Sequence, residues 1–242
     1  GYRMIDTAQA YHNEEGVGNA VRKSGIDRKE VFLVSKVWIS NYGYEKAKAS
    51  IDESLRRLQT DYIDLMLLHQ PFCDRYGAYR ALEEAYKEGK LRAIGVSNFY
   101  PDHFIDIASN MAIVPAVNQV ETHVFDQQIE PQHIMEEFGT RIMSWAPFAE
   151  GRNGFFTNPM LAEIGHKYGK SVAQVALRWL IQRGVVIIPK STHIERMRQN
   201  IDIFDFTLSD EDMASIATLD TGRSLFFDHH DAETARMFMG WR

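Results

Sequence analysis

The sequence predicts an α/β chain of repeated βα units, the pattern of a parallel eight-stranded (β/α) TIM barrel. Three observations carry this expectation. Strand-like and helix-like segments alternate along the 242 residues. Five apolar runs end in a polar, chemically useful residue: Val31–Lys36, Asp64–Gln70, Leu91–Asn98, Ala116–Glu121 and Val185–Ser191. In a closed parallel barrel the apolar stretch of each strand fills the interior and its C-terminal end reaches the site. The repeat, roughly 25–45 residues, has the length of βα units.

The elements follow in order. Met4–Asp6 reads as a short strand. Glu14–Ser24 reads as a helix stopped by Gly25. Val31–Lys36 is a strand. Tyr44–Leu58 sets Ala47, Ile51, Leu55 and Leu58 on one helical face. Tyr62–His69 is nearly continuous in apolar residues, as a strand buried on both faces should be. Ala78–Lys87 is a helix with Gly89 at its stop. Leu91–Ser97 is a strand, and Pro101–Ser109 a helix with proline in its first turn. Further strands are expected at Ala116–Glu121, Arg141–Pro147 and Val185–Pro189. Helices are expected at Pro131–Phe138, Pro159–Tyr168, Val172–Arg183 and Ile194–Asp202. Ser209, with Asp212 three residues on, opens another.

This gives seven strands, one short of a closed eight-stranded barrel. The chain opens on Gly1-Tyr2-Arg3 and runs straight into a strand. The expectation is that the first βα unit lies upstream of Gly1. No linker-like segment interrupts the pattern, so one domain is expected over 1–242, with 224–242 a C-terminal tail over the active-site face.

Composition narrows the function classes. A hydrophobic content of 45% supports one sizeable core. A net charge of −6 argues against nucleic acid or an anionic membrane as partner. The lone cysteine, Cys73, allows no internal disulfide and fits a reducing compartment, so the cytoplasm is expected. No apolar run of about 18 residues suggests a membrane-spanning helix.

Four constellations carry chemistry. The first is Asp6, Tyr11, Lys36 and His69. Tyrosine is a weak acid, with an unperturbed pKa of about 10. A nearby ammonium favours the phenolate and can lower that value by roughly 1–3 units. An aspartate would hold the lysine charged and in place, and a histidine could hydrogen-bond a carbonyl oxygen. Together they make a general acid for carbonyl reduction. Singly, the tyrosine could simply pack and the lysine be solvated; their joint placement at strand ends raises the functional reading.

The second is Ser97-Asn98 with Gln119, whose neutral donors and acceptors suit an amide such as a nicotinamide carboxamide. The bland alternative is helix capping or turn chemistry by Ser97 and Asn98. The third is Lys190-Ser191-Thr192-His193 with Arg196 and Asn200. Hydroxyls and two cations at a helix start make a phosphate site, unless they are only a solvated basic turn. The fourth is Trp145, which could stack on a flat ring or be a core aromatic.

Two signals are discounted. Gly16-Val17-Gly18 resembles the start of a dinucleotide fingerprint, but Val21 stands where the third glycine belongs, and the stretch lies within a helix pattern. His229-His230-Asp231 looks metal-like, but no second cluster has ligand spacing.

The chain resembles the aldo-keto reductase superfamily along essentially its whole length. Gly1–Ala8 with Tyr11 and Asn13-Glu14 is similar to the segment bearing the family's aspartate and tyrosine. Ser35–Trp38 is similar to its lysine segment and Leu67–Pro71 to its histidine segment. Gly95–Phe99 and Asn118–Glu121 resemble its carboxamide-binding strands. Ile188–Ser191 through Arg196 and Asn200 resembles its 2′-phosphate site. The style is nearest to bacterial diketogluconate and methylglyoxal reductases. The resemblance implies a (β/α)8 barrel that reduces aldehydes or ketones with NADPH, without a Rossmann fold. It implies that Tyr11 protonates the carbonyl oxygen, Lys36 and Asp6 tune Tyr11, and His69 orients the substrate. It implies cofactor contacts from Ser97, Asn98, Gln119, Trp145, Phe148, Lys190, Ser191, Thr192, Arg196, Gln199 and Asn200, and no metal. Trp38, Gln70 and the tail would set substrate choice. Gln70 replaces a tryptophan common after the histidine, and Gln199 stands where many members have glutamate. By analogy the protein would be a monomer. The alternatives are a cofactor-binding regulatory module and an inactive, truncated homologue.

Overall fold

The computed structural model describes residues 1–242. They gather into two compact units. The larger comprises Tyr2–Asn118, Ile134–Thr140 and His229–Arg242; the smaller comprises Gly1, Gln119–His133 and Arg141–Asp228.

In the larger unit β1 (Met4–Asp6), β2 (Phe32–Val37), β3 (Leu65–Leu68) and β4 (Ile94–Ser97) lie parallel in chain order. The register sets Asp6 beside Val34, and Lys36 beside Leu67. Each strand is followed by a helix: α1 (Glu14–Lys23), α2 (Tyr44–Leu58), α3 (Arg75–Lys87) and α4 (Pro101–Asn110). All of β3 is buried, as its unbroken Leu-Met-Leu-Leu run requires in a sheet covered on both faces. On α2 the spacing works as read: Ala47, Ile51, Leu55 and Leu58 are buried. Asp64, buried just ahead of β3, is held by Arg28 at 2.8 Å, Arg92 at 3.2 Å and the Leu33 amide at 2.9 Å. A buried carboxylate is tolerated only with such partners.

β5 (Val117–Glu121) begins in the larger unit and ends in the smaller, and α5 (Ile129–Glu137) follows it. In the smaller unit β6 (Arg141–Trp145) pairs in parallel with β7 (Val186–Ile187), Met143 beside Val186. Its helices are α6 (Pro159–Tyr168), α7 (Val172–Gln182), α8 (Ile194–Ile201) and α9 (Asp210–Ala217). Reciprocal capping boxes, Ser171 with Gln174 and Ser209 with Asp212, fix the starts of α7 and α9.

Seven strands form, the number read from the sequence, and the α/β class is as expected. Boundaries differ where local chemistry intervenes. The last strand stops at Ile187, because Pro189 has no N–H to give a ladder. α3 starts at Arg75, not Ala78, because the Asp74 carboxylate caps the Gly77 amide at 2.9 Å. The tail contains an unanticipated helix in the larger unit, α10 (Ala232–Gly240), capped by Asp231 on the Thr234 amide at 2.9 Å. No helix is long and apolar enough to cross a membrane.

Gly16 and Gly18 both lie in α1, which accounts for their failure as a phosphate loop. Their surroundings are opposite. A Cβ on Gly18 would lie 2.4 Å from the Leu58 carbonyl oxygen at the end of α2, while one on Gly16 meets nothing within 4 Å. Replacing a glycine within a helix by alanine gains up to about 1 kcal/mol. At Gly18 the neighbour is backbone and cannot swing aside, and overpacking of this kind costs about 1–3 kcal/mol. We expect Gly16→Ala to raise the chemical-denaturation midpoint slightly and Gly18→Ala to lower it. Equal shifts for the two would contradict the close approach of α1 and α2.

Candidate active site

In the larger unit, three successive strand ends converge. Asp6 is the last residue of β1. A 3₁₀ turn, Gln9–Tyr11, follows and ends on a left-handed His12 (φ 53°), with the Tyr11 amide donating to the Ala8 carbonyl at 3.0 Å. Tyr11 is half exposed. Lys36, on β2, is fully buried. Its Nζ donates to Asp6 Oδ1 at 2.5 Å and to the Thr7 carbonyl at 3.0 Å, and lies 5.1 Å from the centre of the Tyr11 ring. An ammonium has three N–H donors. Asp6 and Thr7 occupy two.

His69 follows β3, with its amide on the Val37 carbonyl at 3.1 Å. Its ring is edge-on to Tyr11 at 5.8 Å and to Trp38 at 5.0 Å. Burial, and then the Lys36 charge, hold the imidazole well below its usual pKa of 6.5. The ring is therefore neutral near pH 7. Its buried Nδ1 has no hydrogen-bond partner.

The Asn98 side-chain amide donates to the His69 carbonyl at 3.1 Å and to Ser97 Oγ at 3.2 Å, tying the end of β4 to the histidine segment. Asn98 is left-handed (φ 64°), a conformation asparagine tolerates better than most residues. The capping alternative for this pair is not realised: Tyr100, with no side-chain cap bond, precedes α4.

The remaining wall of this cluster is aromatic and amide. Trp38 also meets Trp241 at 6.1 Å. The Gln70 backbone is gripped by the Tyr42 hydroxyl, which accepts from its amide at 3.0 Å and donates to its carbonyl at 2.8 Å. Gln70 Oε1 lies 3.0 Å from His229 Nε2, and the His229, Phe72 and Phe238 rings form a mutually stacked cluster with centroids 5.4–6.3 Å apart. His230 lies beside Asp102, and Tyr100 meets the rings of both histidines. No group of three or more His, Cys, Asp or Glu residues is placed to hold a metal ion.

In the smaller unit, Gln119 is buried in β5, its amide 2.9 Å from Met143 Sδ. Trp145, ending β6, meets the Phe226 ring at 5.1 Å, and the Arg152 guanidinium lies 4.1 Å from that ring on its own account. Glu121 holds the Phe226 segment. Fully buried, it accepts from Ser224 Oγ at 2.5 Å and the Leu225 amide at 2.8 Å. His123 donates to it from Nε2 at 2.9 Å, because its Nδ1 accepts the Phe125 and Asp126 amides. Burial and the Glu121 charge push the neighbouring Asp126 carboxyl up to about 6.

A cavity of about 610 Å³ opens in the same unit. Lys190, Ser191, Thr192, Arg196, Gln199 and Asn200 line it together with Phe148. Ser191 Oγ accepts the His193 amide at 3.0 Å just before α8 begins. Two cations, two hydroxyls and the positive end of a helix suit a phosphate. Phe148 and Phe156 give the same cavity an apolar side.

The structure thus brings Asp6, Tyr11, Lys36 and His69 together with Trp38, Gln70 and Asn98. It gathers Phe148 with the cationic residues in the other unit. What sequence reading missed is mostly backbone: the Thr7 carbonyl under Lys36 leaves no residue-type signal. The Glu121 clasp was missed because its partners lie about a hundred residues on, where no spacing rule reaches.

The Aldo/keto reductase family model matches residues 1–221. Glyoxal reductase of Bacillus subtilis (strain 168) is 49% identical over 220 residues, which is 90% of this chain and 79% of that protein. MGS-M4, an aldo-keto reductase from a Medee basin deep-sea metagenome library, superposes with a TM-score of 0.93 at 43% identity, covering 96% of this chain and 86% of that one. A Bombyx mori aldo-keto reductase solved in complex with NADP gives a TM-score of 0.90 at 33% identity, covering 98% of this chain and 83% of that one.

The depressed His69 pKa has a stability consequence. The unfolded chain takes up this proton below the ordinary pKa of 6.5, before the folded chain does. The His69 contribution is therefore fully present above pH 6.5 and is lost as pH falls toward the folded-state pKa. His69→Gln should flatten that part of the acid decline in unfolding free energy, measured by urea titration at a series of pH values. An acid slope identical in both proteins would show that His69 carries no such linkage.

Proposed function

The chain belongs to the aldo/keto reductase family, and from that premise we propose that it reduces aldehyde or ketone carbonyls to alcohols, taking hydride from NADPH and a proton from Tyr11. The observation that carries this reading is the buried Lys36–Asp6 pair set beside Tyr11 and a neutral His69. Bound NADPH would supply the hydride to the carbonyl carbon. Every other step falls to the protein.

Tyr11 stands half exposed, where a carbonyl oxygen can reach its hydroxyl. As the carbon accepts hydride, the oxygen gains charge and takes the phenolic proton. The negative charge left on the phenol is stabilised by the Lys36 ammonium, which Asp6 and Thr7 keep in place. His69 acts as a neutral donor. A proton on Nδ1 would strand a buried N–H, whereas a proton on Nε2 leaves only a lone pair unmatched. The imidazole therefore donates from Nε2 to the carbonyl oxygen and orients it.

The residues present fit a phosphorylated dinucleotide. Lys190 and Arg196, with Ser191, Thr192 and Asn200, would hold the 2′-phosphate that separates NADPH from NADH, with Gln199 and Phe148 beside the adenosine. In the larger unit Ser97 and Asn98 offer donors and acceptors that would suit a carboxamide; in the smaller, Gln119 offers the same and Trp145 a ring that would stack on nicotinamide. NADP in the Bombyx mori relative supports this choice of cofactor. Trp38 and Gln70 would meet the substrate. Small dicarbonyls come first as candidates, given the name of the Bacillus subtilis relative.

Tyr11→Phe should lower carbonyl-dependent NADPH oxidation by on the order of 10²–10⁴-fold while NADPH still binds; wild-type turnover in that variant would remove Tyr11 as the acid. Arg196→Ala removes one charge-assisted contact, so the Kd for NADPH should rise by on the order of 10–100-fold. NADH should be little affected. A fluorescence titration that finds both dinucleotides weakened equally would dissociate Arg196 from the 2′-phosphate.

A further inference from the structure

Gln9 lies two residues before Tyr11 in the 3₁₀ turn and is almost fully buried. Its amide spends its whole hydrogen-bonding capacity. Nε2 donates to the Ser50 carbonyl at 3.2 Å and to Ser54 Oγ at 3.0 Å, both on α2. Oε1 accepts from the Trp38 amide at 2.9 Å and from Asn41 Nδ2 at 2.9 Å. The orientation is fixed by chemistry: the Trp38 N–H can only donate and the Ser50 carbonyl can only accept.

We infer that Gln9 is a positioning residue, a strut that sets Tyr11 and Trp38 against His69 by bracing both of their segments on α2. This rests on the proposed reductase reading. The β1–β2 ladder and the Lys36 contacts to Asp6 and Thr7 join the two segments upstream; Gln9 joins them at the turns themselves. Tyr11 rides on a single short turn, and Trp38 starts another, Ile39–Asn41, with no side-chain cap of its own. Both rings meet His69, so a shift of either turn changes the cluster. A cavity of about 480 Å³, lined by Gln9, Trp38, Asn41, Ser50 and Ser54, lies alongside. It gives the turn room to move once the strut is cut. Gln9 touches no reacting atom. It acts through the placement of Tyr11, and misplacement by about an ångström is enough to slow a reaction on the order of 100-fold.

The test is Gln9→Met, which keeps side-chain length and removes the amide, with Ser54→Ala as a milder cut on the α2 side alone. Expected for Gln9→Met is a fall in kcat on the order of 10–100-fold, an unchanged Kd for NADPH, and a displaced pH at which kcat/KM declines. Amide hydrogen exchange should accelerate in 9–12 and 38–41 and nowhere else. Ser54→Ala should move the same quantities less. Wild-type kcat and pH profile in Gln9→Met would overturn the inference. So would exchange that accelerates throughout the protein, or that is unchanged in Ser54→Ala if Gln9→Met does not fold. A wild-type protein that turns over no carbonyl would sink the reductase reading instead, and exchange in the two segments would still decide whether the strut exists.

Discussion

Lys36 carries its charge where none of its side chain reaches water. Even after relaxation, removing such an ion from water costs several kcal/mol. The compensation comes from one carboxylate, Asp6, and one backbone carbonyl, Thr7. Both sit at the end of β1, and Lys36 sits on β2. The pair therefore exists only if β1 and β2 keep their register, Asp6 beside Val34, with the Thr7 amide continuing the ladder to the Val34 carbonyl at 2.9 Å. A slip of one residue would turn Lys36 to the other face of the sheet. The site is thus coupled to strand pairing: the ladder places the ion pair, and the buried charge penalises any other ladder.

The same charge shapes its surroundings. It adds to burial in keeping His69 neutral. It lies 5.1 Å from the centre of the Tyr11 ring. The burial of Lys36 and His69 leaves the electrostatics between them stronger than they would be in solvent. In the smaller unit Glu121 follows the same logic. It is wholly buried, and a histidine, a serine hydroxyl and a backbone amide satisfy it. What it holds is the segment that brings Phe226 to Trp145.

The helix face of α2 and the buried β3 were legible because each obeys one period. The pairing of Lys36 with Asp6 was legible from their places at neighbouring strand ends and from the family resemblance; nothing in their separation alone requires contact. α10 was not legible. Its apolar residues include Phe238, which packs on Phe72 far away in the chain, so tertiary partners and not an amphipathic stripe order it. Gly18 was noticed for the wrong reason. It resembled a phosphate loop, and the structure shows a helix contact that only glycine allows.

By itself, then, the sequence determined the α/β class, the seven strands, the cap of α9, and the residue types available at each strand end. These depend on local rules: periodicity, capping spacing, and the lack of an N–H in proline. Tertiary structure decided what those residues do. The proton position inferred for His69, the fourfold use of Gln9, the anchoring of 224–225 by Glu121 and the burial of Lys36 all depend on atoms contributed by distant segments. Hydrogen bonds and desolvation act over a few ångströms of space, and a linear sequence does not record which of its residues come that close.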